Sequence, residues 1–155
     1  MVATIHVTAT GFEHVHKVLN NLASMIENPD EKLMQRLGAV VLDDIDTRFM
    51  TRGHGSWAPL KPQTVKRKGH DFVLIDSGAM FNSAKIKQLT KGMVSVGVMQ
   101  GGRNHDPDVP GYHQEGTKRT PKRKIIEATP QLSQALRLET AKFYDDMIRG
   151  FQHEV

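Results

Sequence analysis

The chain has no cysteine. Disulfide scaffolds, thiolate zinc sites and thiol nucleophiles are excluded together, and assembly in a reducing compartment is expected. It also has no apolar run near the roughly 20 residues that span a bilayer, so no membrane partner is expected. The opening Met1-Val2-Ala3-Thr4-Ile5-His6 lacks the cationic and apolar blocks of a signal peptide, which predicts a soluble product made in a cytoplasm. No internal repeat or low-complexity tract is present. What remains is 155 residues, 38% hydrophobic and 25% charged, with 21 Lys and Arg against 17 Asp and Glu for a net charge of +4. That mixture is more polar than the usual globular one but far from a disordered composition. A chain of this length buries roughly 70% of its unfolded surface, so one domain over 1–155 with a modest core is expected, needing neither metal nor disulfide to fold.

Hydrophobic spacing sets the expected elements. Val2, Ile5 and Val7 alternate as a short strand closed by Gly11. Phe12, Val15, Leu19, Leu22 and Ile26 recur at three and four residues, a helix with one buried stripe. Asn28-Pro29-Asp30 ends it, and Asp30 is placed to cap a second helix from Glu31 to Met50. That helix has Leu33, Leu37, Val40, Val41, Ile45 and Phe49 on one stripe, with Asp43, Asp46 and Arg48 on other faces. Thr51 to His70 then reads as an ordered loop anchored by Trp57, followed by a short helical turn from Pro62. Asp76 or Ser77 is placed to cap a brief helix through Met80 and Phe81. Ser83–Leu89 and Met93–Val98 form a hairpin across Thr90-Lys91-Gly92. Residues 100–111 hold glycines and prolines without an apolar pattern and are expected to be a mobile loop. Tyr112 to Gly116 reads as one helical turn, Ile125-Ile126 as a short strand, and Pro130 opens a last helix with Leu132, Leu136, Phe143, Met147 and Phe151 on its apolar face. The fold class is α+β: three main helices packed around a small antiparallel β-sheet, with long loops.

Catalytic constellations are scarce. His14 and His16 lie two apart on a helix and point to different faces, which suits solvent better than a shared metal. Asn104-His105-Asp106-Pro107-Asp108 gathers acids and an imidazole as some metal nucleases do, but has no second histidine at ligand spacing. Gly53-His54-Gly55 lacks the GKS or GKT of a phosphate loop, and Ser77 lacks the glycine two residues earlier that a nucleophile elbow needs. No nucleophile, base and orienting acid assemble, so neither an enzyme nor a cofactor is expected. Two acid-free basic stretches stand out instead: Lys61, Lys66, Arg67 and Lys68, then Lys118, Arg119, Lys122, Arg123 and Lys124. Set against Asp43, Asp44 and Asp46, they describe a polarised surface, able to pair head to tail into a ring or to attract DNA.

The order of features is more specific than any one of them. Trp57-Ala58-Pro59-Leu60 with Thr64 and Lys68, then Leu74-Ile75-Asp76-Ser77-Gly78-Ala79-Met80 with Ser83, resembles the central signature of the phage virion morphogenesis family, the tail completion and head-tail joining proteins of P2-like and Mu-like phages. The resemblance continues through Val94-Ser95-Val96-Gly97-Val98, Tyr112-His113-Gln114-Glu115-Gly116 and Pro121, covering about residues 30–150. The chain departs from the pattern at Ser77, where the family often has Thr, at Met80, where it has Leu, and at Lys122-Arg123-Lys124-Ile125-Ile126, where it favours an Arg-Pro-Phe type of sequence.

The resemblance implies a non-catalytic structural protein of the phage neck or tail, made in the bacterial host cytoplasm and ending in the virion. It would form a hexameric ring between a head completion or connector protein and the tail terminator or tail tube, with non-specific contact to DNA in the channel. The alternative is a small basic DNA-binding accessory protein, and a third reading is a metal-dependent nuclease around His105, Asp106 and Asp108. Trp57, Pro59 and Leu60 are expected to pin the basic loop to the core. Gly78 is expected to let the short helix approach the sheet, and Gly97 to mark a bulge or edge contact. Tyr112, His113 and Gly116 are expected to return the chain to the domain, His113 as a satisfied hydrogen-bonding residue.

Overall fold

In a computed structural model, residues 12–27, 29–98 and 108–152 are described. The strand expected at Val2 to Thr8 and most of the expected loop, 100–107, lie outside them. The element order is α1 (Phe12–Glu27), α2 (Glu31–Met50), α3 (Pro62–Lys68), a 3₁₀ turn (Phe81–Ser83), β1 (Ala84–Thr90), β2 (Met93–Val98), α4 (Val109–Glu115) and α5 (Pro130–Gln152). This is the α+β class, three long helices with an antiparallel two-stranded sheet. No helix among the described residues is long and apolar enough to cross a membrane.

α2 is the spine of the fold. Asp30 caps it, its carboxylate accepting from the Lys32 N–H at 3.1 Å. The helix packs on both strands and on α5. It meets the hairpin through Gly38, where a Cβ would stand 2.8 Å from Ile86 Cδ1 and 2.9 Å from Val94 Cγ2. Against α5 it places Arg36, which pairs with Glu139 and Asp146 and lies 5.5 Å over the Phe143 ring. Ile45 and Phe49 enter the main core with Trp57, Val73, Met80 and Ile125. Phe49 meets Trp57 and Phe81 edge to face, at ring separations of 5.8 and 5.4 Å.

The hairpin runs from Ala84↔Val98 to Thr90↔Met93, turning at Lys91-Gly92. Its irregularity falls between Ile86 and Gln88, so the extra residue is Lys87 on β1. Gly97, expected at a bulge or edge contact, is not at the bulge but on the regular strand, and the Lys87 side chain crosses over it with Cε 2.7 Å from where a Cβ would be.

Several expectations change. Arg48, assigned to another face of α2, is 1% exposed. Its Nε donates to Asp44 at 2.8 Å and its Nη1 reaches Glu127 at 3.4 Å, while Nη2 finds no acceptor. Asp44 thereby turns inward, and of the expected acidic trio Asp43 and Asp46 stay exposed. In α1 the expected buried stripe is open at Leu19 and Ile26, 58% and 66% exposed. No helix starts at Asp76 or Ser77; the chain bends through them into the 3₁₀ turn. Ile125-Ile126 forms no strand. The two backbone N–H groups donate to Gln114 Oε1 at 2.8 and 3.1 Å, and Gln114 Nε2 donates back to Ile126 O at 2.6 Å. One amide side chain does the work of a strand edge. The last part of the expected loop, Val109 to Gly111, is already helical, because Pro110 suits the first turn of α4.

Candidate functional site: a basic cleft

Trp57 organises the approach to the cleft. Arg52, Gly53 and His54 take left-handed backbone (φ 56°, 66° and 54°), folding residues 51–57 back so that the indole packs over Gly53. Indole Nε1 then donates to Lys124 O at 3.2 Å, joining the two basic stretches 67 residues apart in sequence. Arg123 makes a second tie. Only 6% exposed, its guanidinium donates to Ala58 O at 3.1 and 2.9 Å and to Pro59 O at 3.4 Å, and its own N–H donates to His113 O at 2.7 Å.

Between these ties lies a cleft of about 690 Å³. Its apolar lining includes Leu60, Leu74, Met80 and Val109, and its cations are Lys61, Arg67, Lys68, Arg119 and Arg123, against one carboxylate, Asp76. Leu74 reaches this wall with a left-handed backbone, φ 62°, which is uncommon and strained for a bulky residue.

The nine basic residues singled out in the sequence sort into two kinds. Arg123 is a buried structural donor, which corrects its reading as an interface residue. Lys124 pairs with Glu127 at 2.5 Å, and the same hydrogen bond holds the Glu127 carboxyl below its usual pKa. Lys122 lies 3.5 Å from Glu115, and Lys68 Nζ donates to Phe72 O at 2.7 Å. Burial holds the Lys68 ammonium below its usual pKa; Asp76 opposes this, while Arg67 and Arg123 add to it. Lys61, Lys66, Arg67, Lys118 and Arg119 are exposed, without a side-chain ion pair among the described residues. Three of them, Lys61, Arg67 and Arg119, line the cleft.

The expected anchors also divide. Trp57 is buried and Leu60 packs on the core, but Pro59 is exposed. Gly78 is needed for its backbone, φ 80°, and a Cβ there would meet the Asn82 side chain at 3.2 Å, not the sheet. Gly116 (φ 77°) allows the Lys122 backbone to approach, 3.1 Å from a would-be Cβ. Tyr112 is 47% exposed and anchors nothing in the described core; its neighbour Gln114 does, a role that sequence spacing did not show. His113 is half-buried in the cleft wall with Nδ1 sealed from solvent and without a partner. Burial, and then the Arg123 charge, hold the imidazole below its ordinary pKa and keep it neutral. The expectation of a satisfied histidine therefore fails at Nδ1. Of the nuclease candidates, Asp108 precedes α4, and His105 and Asp106 lie outside the described residues.

Compared with protein-family models, curated proteins and solved structures, the chain matches none.

Proposed function

We propose that this chain is a non-catalytic structural protein of the phage neck or tail, acting in tail completion or head-tail joining as a ring between connector and tail. One observation carries the reading. The segments that bear the family resemblance, Pro59-Leu60, Leu74 with Asp76 to Met80, and His113, are far apart in sequence and yet line a single basic cleft with Lys61, Arg67 and Arg119. An assembly protein needs such a surface, with rigid ties beneath and unpaired charge above, because steering and register come from charge left available to a partner.

The test is a phage carrying a disrupted copy of this reading frame. The expected outcome is free heads and free tails accumulating while joined particles vanish, with complementation by the intact chain. Normal particle yield would reject the reading. Binding to duplex DNA is the competing reading, supported by the same cations. It predicts a gel shift whose affinity falls steeply with salt.

A further inference from the structure

We propose that the cleft between α3, the 74–80 segment and α4 is the receptor for an acidic peptide segment of a partner protein, one apolar residue entering the cleft and flanking carboxylates meeting Lys61, Arg67 and Arg119. The inference rests on the joining role proposed above and names the chemistry of that same surface.

Shape and charge both select this ligand class. The apolar lining of Leu60, Leu74, Met80 and Val109 offers a pocket for a side chain, whereas a sugar-phosphate backbone has nothing apolar to place there. Phe, Tyr and Trp are absent from the described lining residues, so bases of a single strand would find no large aromatic face to stack on. The concave site also does not match duplex DNA, whose phosphates are read across open surface. Cations outnumber the one acid in the lining, and Lys61, Arg67 and Arg119 have no counter-ion among the described residues. Arg123 is fixed beneath by the Ala58 and Pro59 carbonyls, so its positive charge remains in place whether or not a ligand is present. His113 lies in the same wall, where its ring can report on an occupant. In a ring several such weak sites act at once, so modest affinity per site is sufficient for a stable joint.

The experiment uses the full chain and a fluorescein-labelled, end-capped pentapeptide, Asp-Glu-Leu-Glu-Asp, in fluorescence anisotropy. Saturable binding is expected, weakened about tenfold or more by Arg67→Gln with Arg119→Gln, by the Asn-Gln-Leu-Gln-Asn peptide, and by the Asp-Glu-Ser-Glu-Asp peptide. Both arginines are exposed, so the melting temperature of the double variant should stay near that of the parent, showing that it folds. The imidazole NMR signals of His113 should move on adding the peptide. The proposal is overturned by no saturable binding, by equal binding to the double variant, by equal binding of the serine peptide, or by a short DNA duplex competing more strongly than the peptide. Native mass measured on the same samples separates the two readings: a ring that ignores the peptide removes this inference and leaves the joining role standing.

Discussion

The indole of Trp57 fills the space where a side chain at Gly53 would stand, its Nε1 only 2.3 Å from the position of a Cβ. Gly53 also has φ 66° and is buried. Left-handed backbone and a rigid aromatic neighbour thus act at one position. Gly53→Ala should cost about 2–4 kcal/mol, combining backbone strain with overpacking. In a domain of this size that lowers the melting temperature by roughly 5–15 °C. Gly55→Ala is the matched control, since Gly55 has φ 81° but nothing within 4 Å of its would-be Cβ, and should cost only about 1 kcal/mol. Equal losses in the two variants would mean that the indole is not held against Gly53.

Arg48 and Asp44 give an asymmetric pair of outcomes. Asp44→Ala leaves a guanidinium that is 1% exposed with only the 3.4 Å contact to Glu127, and should destabilise by about 3 kcal/mol. Arg48→Met removes the charge together with the orphaned Nη2 and should cost less, because a buried pair replaced by apolar volume loses little. Urea titrations of both variants measure the order; a larger loss for Arg48→Met would refute it.

Gln114→Ala should free the amides of Ile125 and Ile126 and cost about 2–3 kcal/mol, since two donors and one acceptor lose their partner. Amide exchange at those two residues should accelerate. Tyr112→Ala, two residues earlier and 47% exposed, should change stability by no more than about 0.5 kcal/mol. The reverse order would restore Tyr112 as the anchor.

His113 makes stability depend on pH with a definite sign. Its folded pKa lies below the ordinary 6.5, so the unfolded chain binds more protons in the interval between the two values. The stabilisation from a neutral His113 is therefore fully present above 6.5 and lost as pH falls through the depressed value. Melting curves taken across that window should show the parent losing stability as pH falls, with a shallower slope for His113→Gln. Parallel slopes would show that the imidazole titrates as it does in the unfolded chain.

The positions of α2, the hairpin and α5 were legible in the sequence because each is written in local spacing: three-and-four recurrence, alternation about Lys91-Gly92, and Asp30 or Pro130 at a helix start. The α+β class follows from those elements alone, and the burial of Trp57 from its large apolar ring in the loop after α2. What only the tertiary structure decided is which polar side chains go inside. Arg48, Arg123 and Gln114 look like surface residues by type, and the burial of the two arginines and the half-burial of Gln114 depend on acceptors and donors brought from elsewhere in the chain: Glu127, the Ala58 and Pro59 carbonyls, and the Ile125-Ile126 backbone. Gly38 was equally silent, since nothing near it in sequence says that Ile86 and Val94 will cross there. The cleft has the same origin. A charge run states how many cations there are, but whether each one meets a carboxylate, a carbonyl or open solvent is set by contacts between distant segments, and that sorting left Lys61, Arg67 and Arg119 around one cavity.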